Sequence, residues 1–457
     1  MRKMTIVEIV KAVKAIDYTS ANRFAEVESV SFNSQLCQKN SLFVPLKGTT
    51  DGHNYVQHAC EQGATVTFWD RPQDEAPDNI ACIFVDDTLQ ALQDLATYYL
   101  KTTNPKVVAI TGSNGKTTTK DMVESVLAKQ YRTYKTQGNY NNDIGVPMTI
   151  LGMPETTEIL VLEMGMDDFG QIEKLSCLAN PDVAVITLIG DSHLEALGSR
   201  EGIAKAKLEI VSGLVENGVL IVPNEEPLLA KDVPHIHKQT FGKDVSATMQ
   251  LIDVETNAHK TIFKVAQSEH VFTLPIIGAY NAYNAMIALL VGRHFNVSDK
   301  DMQEALAYFT LTANRLEWVK GINNSRLLND AYNASPTSMK AIIKDFQEIE
   351  TKHRKYLVLG DMKELGKDSQ ALHESIVDSI DCTRLAGIYL YGENMLSLYH
   401  VLLKQHDCPV WHELDDKSRL SDMLRHVLQQ DDLVLIKSSY GTRLLDLVND
   451  LREKHEQ

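Results

Sequence analysis

The chain has 457 residues, 44% hydrophobic and 23% charged, with a formal net charge of −16. That length fits about three domains, each able to bury a core of its own, and the composition excludes a fibrous or wholly disordered chain. Asp and Glu (61) outnumber Lys and Arg (45). A protein gripping nucleic acid through its overall field needs the reverse, so any polyanion held here is small and sits in a local pocket.

The opening run MRKMTIVEIVKAVKAI sets Ile6, Ile9, Val10 and Val13 at helical spacing, interrupted by Glu8, Lys11 and Lys14. It predicts an amphipathic helix rather than a signal peptide. No uncharged apolar run of about 18 residues occurs, so no membrane span is expected. Six cysteines are scattered with no CxxC pair, which argues against a zinc site or disulfide framework and for a cytoplasmic chain with reduced thiols. Downstream, short β-branched runs ending in Gly, Asp or Glu are each followed by a helical stretch. They are Ser41-LFVPLKG, Val107-VAITGSNG, Ile159-LVLEMG, Val183-AVITLIGD, Lys355-YLVLGD and Leu433-VLIKSSYG. Uniformly apolar strands alternating with helices predict an α/β fold of doubly wound parallel sheets, with ligands at the carboxyl ends of the strands. Lys101-TTNP, punctuated by Pro105, marks a first linker, and Thr312-ANRLEW a second, before the strand-like Ser325-RLLND. The expected domains are 1–104, 105–314 and 315–457.

The sharpest signal is Thr111-GSNGKTTTKD, between an apolar strand and a helix running through Met122, Val123, Val126 and Leu127. A glycine-rich turn at such a junction aims backbone N–H groups at one spot, and the helix N-terminus adds positive potential. Gly112, Ser113, Asn114, Gly115 and Thr118 then surround a phosphate group, Lys116 reaches the β- and γ-phosphates, and the Thr117 hydroxyl ligates Mg²⁺. The spacing departs from GxxxxGK[ST], with Ile110 where the first glycine would stand, and a glycine turn that merely caps a helix is the alternative. Glu163 closes the strand of Ile159-LVLEMGMDD, where a phosphate-bound Mg²⁺ would find an oxygen ligand; a solvated strand-end carboxylate is the plain reading. His193 follows another strand, and Lys205 and Lys207 lie on the helix of Gly202-IAKAKLEI. By spacing alone these three are structural or surface groups.

TGSNGKTTTKD, TQGNYNNDIGVP, EMGMDD, GDSHLE, GSREGIAKAKLEI, ANRLEW, NDAYNASPTSMK and LGDMKELG, in this order over essentially the whole chain, resemble the Mur ligases of peptidoglycan synthesis. NDAYNASP and LGDMKELG resemble the member that adds a dipeptide. The resemblance implies an N-terminal domain for a UDP-linked substrate, a central ATPase domain, and a Rossmann-like C-terminal domain that binds the dipeptide and closes on ATP. It implies an ATP-dependent amide ligase: the carboxylate of UDP-N-acetylmuramoyl-tripeptide takes the γ-phosphate, and the amine of D-Ala-D-Ala displaces phosphate from the acyl phosphate. Two anions meet in the first step, which requires concentrated positive charge.

By the same resemblance, the catalytic residues are Lys116, His193, Lys207 and Arg315, with Arg315 on the γ-phosphate side. Thr117 and Glu163 hold one Mg²⁺, His193 helps hold a second, and Lys207 matches a lysine carbamylated by CO₂ into a carboxylate-like ligand. Asn281 and Asn284, three apart on one helix face, would read the adenine edge; two Asn covering a helix is the alternative. Asp330 would hold the ribose, with Tyr332 and Asn333 along the rim, and Asn139, Asn141 and Asn142 would form a substrate and phosphate loop. Ser34, Lys47, Asp51, Gly52 and His53 match the uridine diphosphate region, although Asn33 and Gln35 replace the family's usual Asp and Arg. Asp361 or Glu364 would hold the dipeptide ammonium, in a pocket shared with Lys437-SSYG, where Ser438 and Tyr440 replace the usual Gly and Arg. The implied partners are three small molecules, with no nucleic acid, and the family precedent is a monomer. The rivals are a sister ligase, whose DNPR-type motif is absent, and a phosphate-loop switch protein.

Overall fold

Every apolar run named above contains a strand in the computed structural model, which describes residues 1–19, 25–231, 236–405 and 409–453. Three of these strands, Lys106–Thr111, Ile159–Glu163 and Val183–Ile186, are buried along their apolar lengths, as strands covered by helices on both faces must be. They form the middle of a nine-stranded sheet. Its spatial order is Val271–Leu274, Thr261–Val265, Met249–Thr256, His237–Gly242, Val219–Pro223, Val183–Ile186, Lys106–Thr111, Ile159–Glu163 and Thr133–Lys135. The sheet is parallel except at the first three strands, which form an antiparallel meander. The register pairs Glu163 with Ile110 and Ile186 with Thr111. Three strand ends therefore stop at one level, beside the glycine-rich turn.

Before this sheet stands a five-stranded one, ordered Asp17–Tyr18, Ala81–Phe84, Ala64–Trp69, Ser41–Phe43 and Ser29–Ser31. After it comes a six-stranded one, ordered Glu317–Lys320, Arg326–Asp330, Leu433–Lys437, Lys355–Gly360, Gly387–Tyr391 and Val410–Glu413, parallel but for its first strand. The opening helix spans Ile6–Ala12, is capped by the Thr5 side chain and buries Ile6 and Ile9, as its spacing predicts. No helix of the described residues is long and apolar enough to cross a membrane, and their cysteines are free.

The first linker is shorter than expected. Helix Thr88–Thr103 runs through it and ends at Asn104, whose left-handed backbone (φ 51°) breaks the helix before Pro105. Leu92, Leu95, Ala96 and Tyr99 of this helix share an apolar core with Val146, Ile150 and Leu151 of helix Gly145–Gly152. The Tyr99 hydroxyl donates to the Met153 carbonyl at 2.9 Å. The junction is thus packed rather than loose. At the second junction, the Asp121 carboxylate accepts from the Thr312 backbone N–H at 2.7 Å, and Lys120 donates to the Thr312 hydroxyl at 3.3 Å. Lys120 and Asp121 are both buried, one turn into the phosphate-loop helix. The strap that carries Arg315 is therefore tied to the helix that begins at Lys116.

Candidate active site

Helix Lys116–Leu127 starts from Gly115, whose φ of 81° suits glycine. Gly112 is more constrained: its φ is 149°, and an added Cβ would lie 1.8 Å from Thr187 Oγ1. The turn is held by the segment following strand Val183–Ile186. Ser113 N–H donates to the Leu188 carbonyl at 3.0 Å, and Gly190 N–H donates to Ser113 Oγ at 2.9 Å. Thr187 Oγ1 donates to the Asn114 carbonyl at 2.5 Å. Lys116 curls back over the turn and donates to the Gly112 carbonyl at 2.8 Å. Burial pushes its amine below the usual lysine value; Glu163 opposes that and Arg315 reinforces it.

Glu163 is 3% exposed. One carboxylate oxygen accepts from Asn141 Nδ2 at 2.9 Å, whereas the other, Oε2, is buried with no hydrogen-bond partner. A buried carboxylate oxygen left unpaired is costly, and a hard cation is the partner that suits it. Thr117 lines the same cleft, so the donor set fits Mg²⁺. Lys207 is 1% exposed, and burial together with the charge of Lys116 pushes its amine well below the ordinary value. It is not the surface lysine that helical spacing alone suggests. His193, in a left-handed conformation (φ 64°), turns its Nδ1 to Glu364 Oε2 at 2.8 Å and to Asp167 Oδ1 at 3.7 Å.

Two adjoining cavities share Asn114, Gly115, Thr118, Arg315 and Asn333. The first, about 240 Å³, is polar and holds the phosphate turn with Asn139, Asn141, Glu163, Asp167, His193, Arg315 and Tyr332. The second, about 300 Å³, is walled by Phe241, Tyr280, Tyr283 and Leu316, with Asn284, Asp330 and Lys437 as polar groups. Arg315 stands where they meet, its guanidinium 4.5 Å from the Tyr332 ring centroid. Aromatic walls suit a flat base, and the cationic turn suits its phosphates.

Several residues stand differently from expectation. Asn281 does not line the base cavity: it is fully buried, donating to the Ile277 carbonyl at 2.8 Å and accepting from Asn284 Nδ2 at 3.0 Å. Only Asn284 reaches the wall, oriented by Asn281 and by the Thr119 hydroxyl at 3.2 Å. Asn142 turns its side-chain oxygen to its own turn, ahead of helix Gly145–Gly152, accepting from Ile144 N–H at 3.3 Å and Gly145 N–H at 2.9 Å. Asp361 is spent too: Lys363 and Asn394 side chains and the Met395 N–H bond it at 3.1, 2.9 and 3.1 Å, and it is 2% exposed. Glu364 is the exposed one of the two: it lines a neighbouring pocket with Glu195 and Lys363, and the bond from His193, which does line the cleft, holds it below the usual range. The Lys437-SSYG loop does meet the 361–364 loop, since Lys363 N–H donates to Ser439 Oγ at 3.0 Å. Lys437 itself, however, turns to the nucleotide side.

In the N-terminal part, His53 sits with its ring nitrogens 2.7 Å from Asp51 and 3.0 Å from Asp70, edge-on to Trp69. Asp51 also pairs with Arg71 and Asp70 with Lys47, at 2.7 and 3.0 Å. Gly52 is required because a Cβ would lie 2.6 Å from the Leu46 nitrogen. Asp51, Gly52 and His53 thus build their own loop, Ser34 bonds His58 Nδ1 at 2.9 Å, and Lys47 remains solvent-facing. The aromatic walls at Phe241 and Tyr283 escaped the sequence reading, and so did Asp167, although it stands in EMGMDD.

Hydrogen bonds among the described residues join the six-stranded unit to this centre: Ser335 Oγ to Asn114 Oδ1 and Thr337 Oγ1 to Asp191 Oδ2, each 3.0 Å, and Glu195 N–H to the Glu364 carbonyl at 3.5 Å. With His193–Glu364 they close the cleft.

Comparison with known proteins agrees with this geometry. Residues 110–292 match the Mur ligase middle domain, and residues 314–440 match the Mur ligase, glutamate ligase domain. The chain is 42% identical over 454 residues, 99% of both sequences, to UDP-N-acetylmuramoyl-tripeptide–D-alanyl-D-alanine ligase of Bacillus subtilis (strain 168). Identity to the ligase of the same name from Escherichia coli (strain K12) is 30%, covering 93% of this chain and 94% of that one. A crystal structure of MurF from Acinetobacter baumannii matches with a TM-score of 0.88 at 28% identity, covering 99% of this chain and 100% of that one. The MurF ligase of Thermotoga maritima in complex with ADP matches with a TM-score of 0.80 at 28% identity, covering 93% and 97%.

Proposed function

The chain belongs to the Mur ligase family, and from that premise we propose that it joins D-alanyl-D-alanine to the carboxylate of UDP-N-acetylmuramoyl-tripeptide at the expense of ATP. The observation that carries the reading is the convergence, at one cleft, of the phosphate turn with Lys116, the orphaned Glu163 Oε2, Arg315 and the His193–Glu364 contact.

The base of ATP lies in the aromatic cavity against Asn284, its ribose at Asp330, and its phosphates on the Gly112–Thr118 turn. Lys116 and Arg315 flank the γ-phosphate and offset its repulsion of the incoming tripeptide carboxylate. A unit charge about 4 Å away contributes on the order of 4 kcal/mol at the effective dielectric of such sites. The carboxylate oxygen attacks phosphorus, the bond to the β,γ-bridging oxygen breaks, and ADP leaves. The dipeptide ammonium, guided by Glu364, loses one proton to solvent and attacks the acyl carbon as the free amine; phosphate departs with the bonding pair and takes the nitrogen's second surplus proton, and an amide remains. Thr117 and Glu163 would hold one Mg²⁺, and His193 with a carbamylated Lys207 a second, which when bound neutralises the phosphate oxygens. The buried Lys207 amine is suited to that modification, because its neutral form is the nucleophile that adds to CO₂.

Residues 1–104 take the uridine-linked substrate, 105–314 ATP, and 315–457 the dipeptide. The enzyme acts as a monomer in the cytoplasm. Phosphate release tests the assignment. With ATP alone it should be nearly silent, and it should start only when UDP-muramoyl-tripeptide (lysine or diaminopimelate form) and D-Ala-D-Ala are both present. Brisk release indifferent to either substrate would refute it.

A further inference from the structure

Lys437 is the cation of the nucleotide cavity that the reaction above leaves unused. It ends strand Leu433–Lys437, and the parallel register sets it opposite Asp330, the last residue of Arg326–Asp330. Its ammonium donates to Asp330 Oδ2 at 2.5 Å and to the Asn333 carbonyl at 2.9 Å. Lys437 is 2% exposed and Asp330 6%. Both line the aromatic cavity, but neither lines the phosphate cleft. A lysine buried this deeply is tolerated only when its charge is matched and its donors find acceptors; here the carboxylate matches the charge, and it and the carbonyl take two of the three donors. The pairing engages Oδ2 and leaves Oδ1 as the acceptor toward a ligand.

We propose that Lys437 is a positioning residue for nucleotide selection: it clamps the Asp330 carboxylate so that its other oxygen accepts from the sugar hydroxyls, and thereby selects ribonucleotides over sugars lacking them. The inference rests on the ATP-dependent reading above. A hydroxyl donating to a fixed, charged acceptor makes a stronger bond than one between neutral groups. A site built to bond a hydroxyl rejects the analogue without it, because its own polar group is then left unpaired. A phosphate-binding role for Lys437 is disfavoured by its place, since Lys116 and Arg315 occupy the phosphate end and Asp330 holds the Lys437 charge.

The test compares ATP with 2′,3′-dideoxyATP in the full-length enzyme, measuring kcat and KM for wild type, Lys437→Met, Lys437→Arg and Asp330→Asn. Wild type should prefer ATP at least tenfold in kcat/KM, chiefly through KM. Lys437→Met and Asp330→Asn should each bring that preference to within about twofold of unity and raise KM for ATP about tenfold, with a smaller effect on kcat. Lys437→Arg, which keeps charge and reach, should retain most of the preference. Wild-type discrimination persisting in Lys437→Met, or absent from the wild type, overturns the inference. Should Lys437→Met fail to fold, Lys437→Gln replaces it, and retained preference there overturns the inference equally. If wild type proves not to ligate, calorimetric binding of ADP against 2′,3′-dideoxyADP still reads the clamp, so failure of the reaction assignment and failure of the clamp are told apart.

Discussion

Replacing Lys116 by Met removes one positive charge while keeping the length of the side chain. Its hydrogen bond in the structure runs to the Gly112 carbonyl at 2.8 Å, so the turn, held by Ser113, Thr187 and Gly190, should survive. If the ammonium approaches a γ-phosphate oxygen to about 4 Å, its contribution at an effective dielectric near 20 is about 4 kcal/mol. That converts to roughly a thousandfold in rate, at 1.36 kcal/mol per tenfold. The loss should fall mainly on kcat, because the charge is most needed when carboxylate and phosphate are forced together. Burial works against the charged form of Lys116, so the melting temperature should not fall and a small rise is consistent. The assay is ADP release at saturating ATP, UDP-muramoyl-tripeptide and D-Ala-D-Ala, beside a thermal melt. A Lys116→Met enzyme within tenfold of wild-type kcat, and equally stable, would show that the electrostatic account is wrong.

Three further outcomes are expected. Lys207→Ala should abolish turnover, with partial recovery when a small carboxylate such as acetate is supplied at high concentration; full activity without the additive contradicts the carbamate role. Gly112→Ala should lower kcat/KM for ATP at least a hundredfold, since its Cβ would lie 1.8 Å from Thr187 Oγ1 at a φ of 149°; nucleotide titration checks it, and near-normal affinity would show that the turn is not the cradle. Asp345 supplies a pH test, because burial and then Glu348 push its carboxyl from 3.8 up to about 6. A raised folded-state value means that its stabilising contribution is complete below the unfolded value and is lost as pH rises through about 6. Asp345→Asn should therefore stabilise the protein by about 2 kcal/mol at pH near 7.5, after allowance for residual solvent screening, and by almost nothing near pH 4. Melting curves at the two pH values decide it, and an equal gain at both would dismiss burial as the cause.

The phosphate turn was legible in the sequence because its geometry is local: an apolar strand, two glycines and a helix start within about ten residues leave few other structures. Glu163 was legible as a strand end, yet its orphaned oxygen was not, because that depends on which neighbour fails to reach it. Helical spacing correctly put Asn281 and Asn284 on one face, but periodicity gives direction and not depth. Asn281 proved to be the buried support and Asn284 the wall. Asp361 and Glu364 looked interchangeable in LGDMKELG, and a distant helix start at Met395 consumed the first. The Asp330–Lys437 pair lay beyond reach, since 107 residues separate its members and only the order of strands in the sheet brings them side by side. The first linker is shorter than the sequence suggests for a local reason: Pro105 marks where helix Thr88–Thr103 must already have stopped, not where a flexible segment begins.

Asn114 serves two masters, with its backbone in the phosphate turn and its side-chain oxygen accepting from Ser335 of the opposite unit. Nucleotide affinity and interdomain geometry are thereby linked thermodynamically. The apparent dissociation constant for ATP is the intrinsic one divided by the fraction of molecules in the joined state. A substitution far from any phosphate, one that merely loosens the seam, would present in a binding experiment as weakened nucleotide recognition. An inhibitor that wedges the seam apart would, for the same reason, compete with ATP without resembling it.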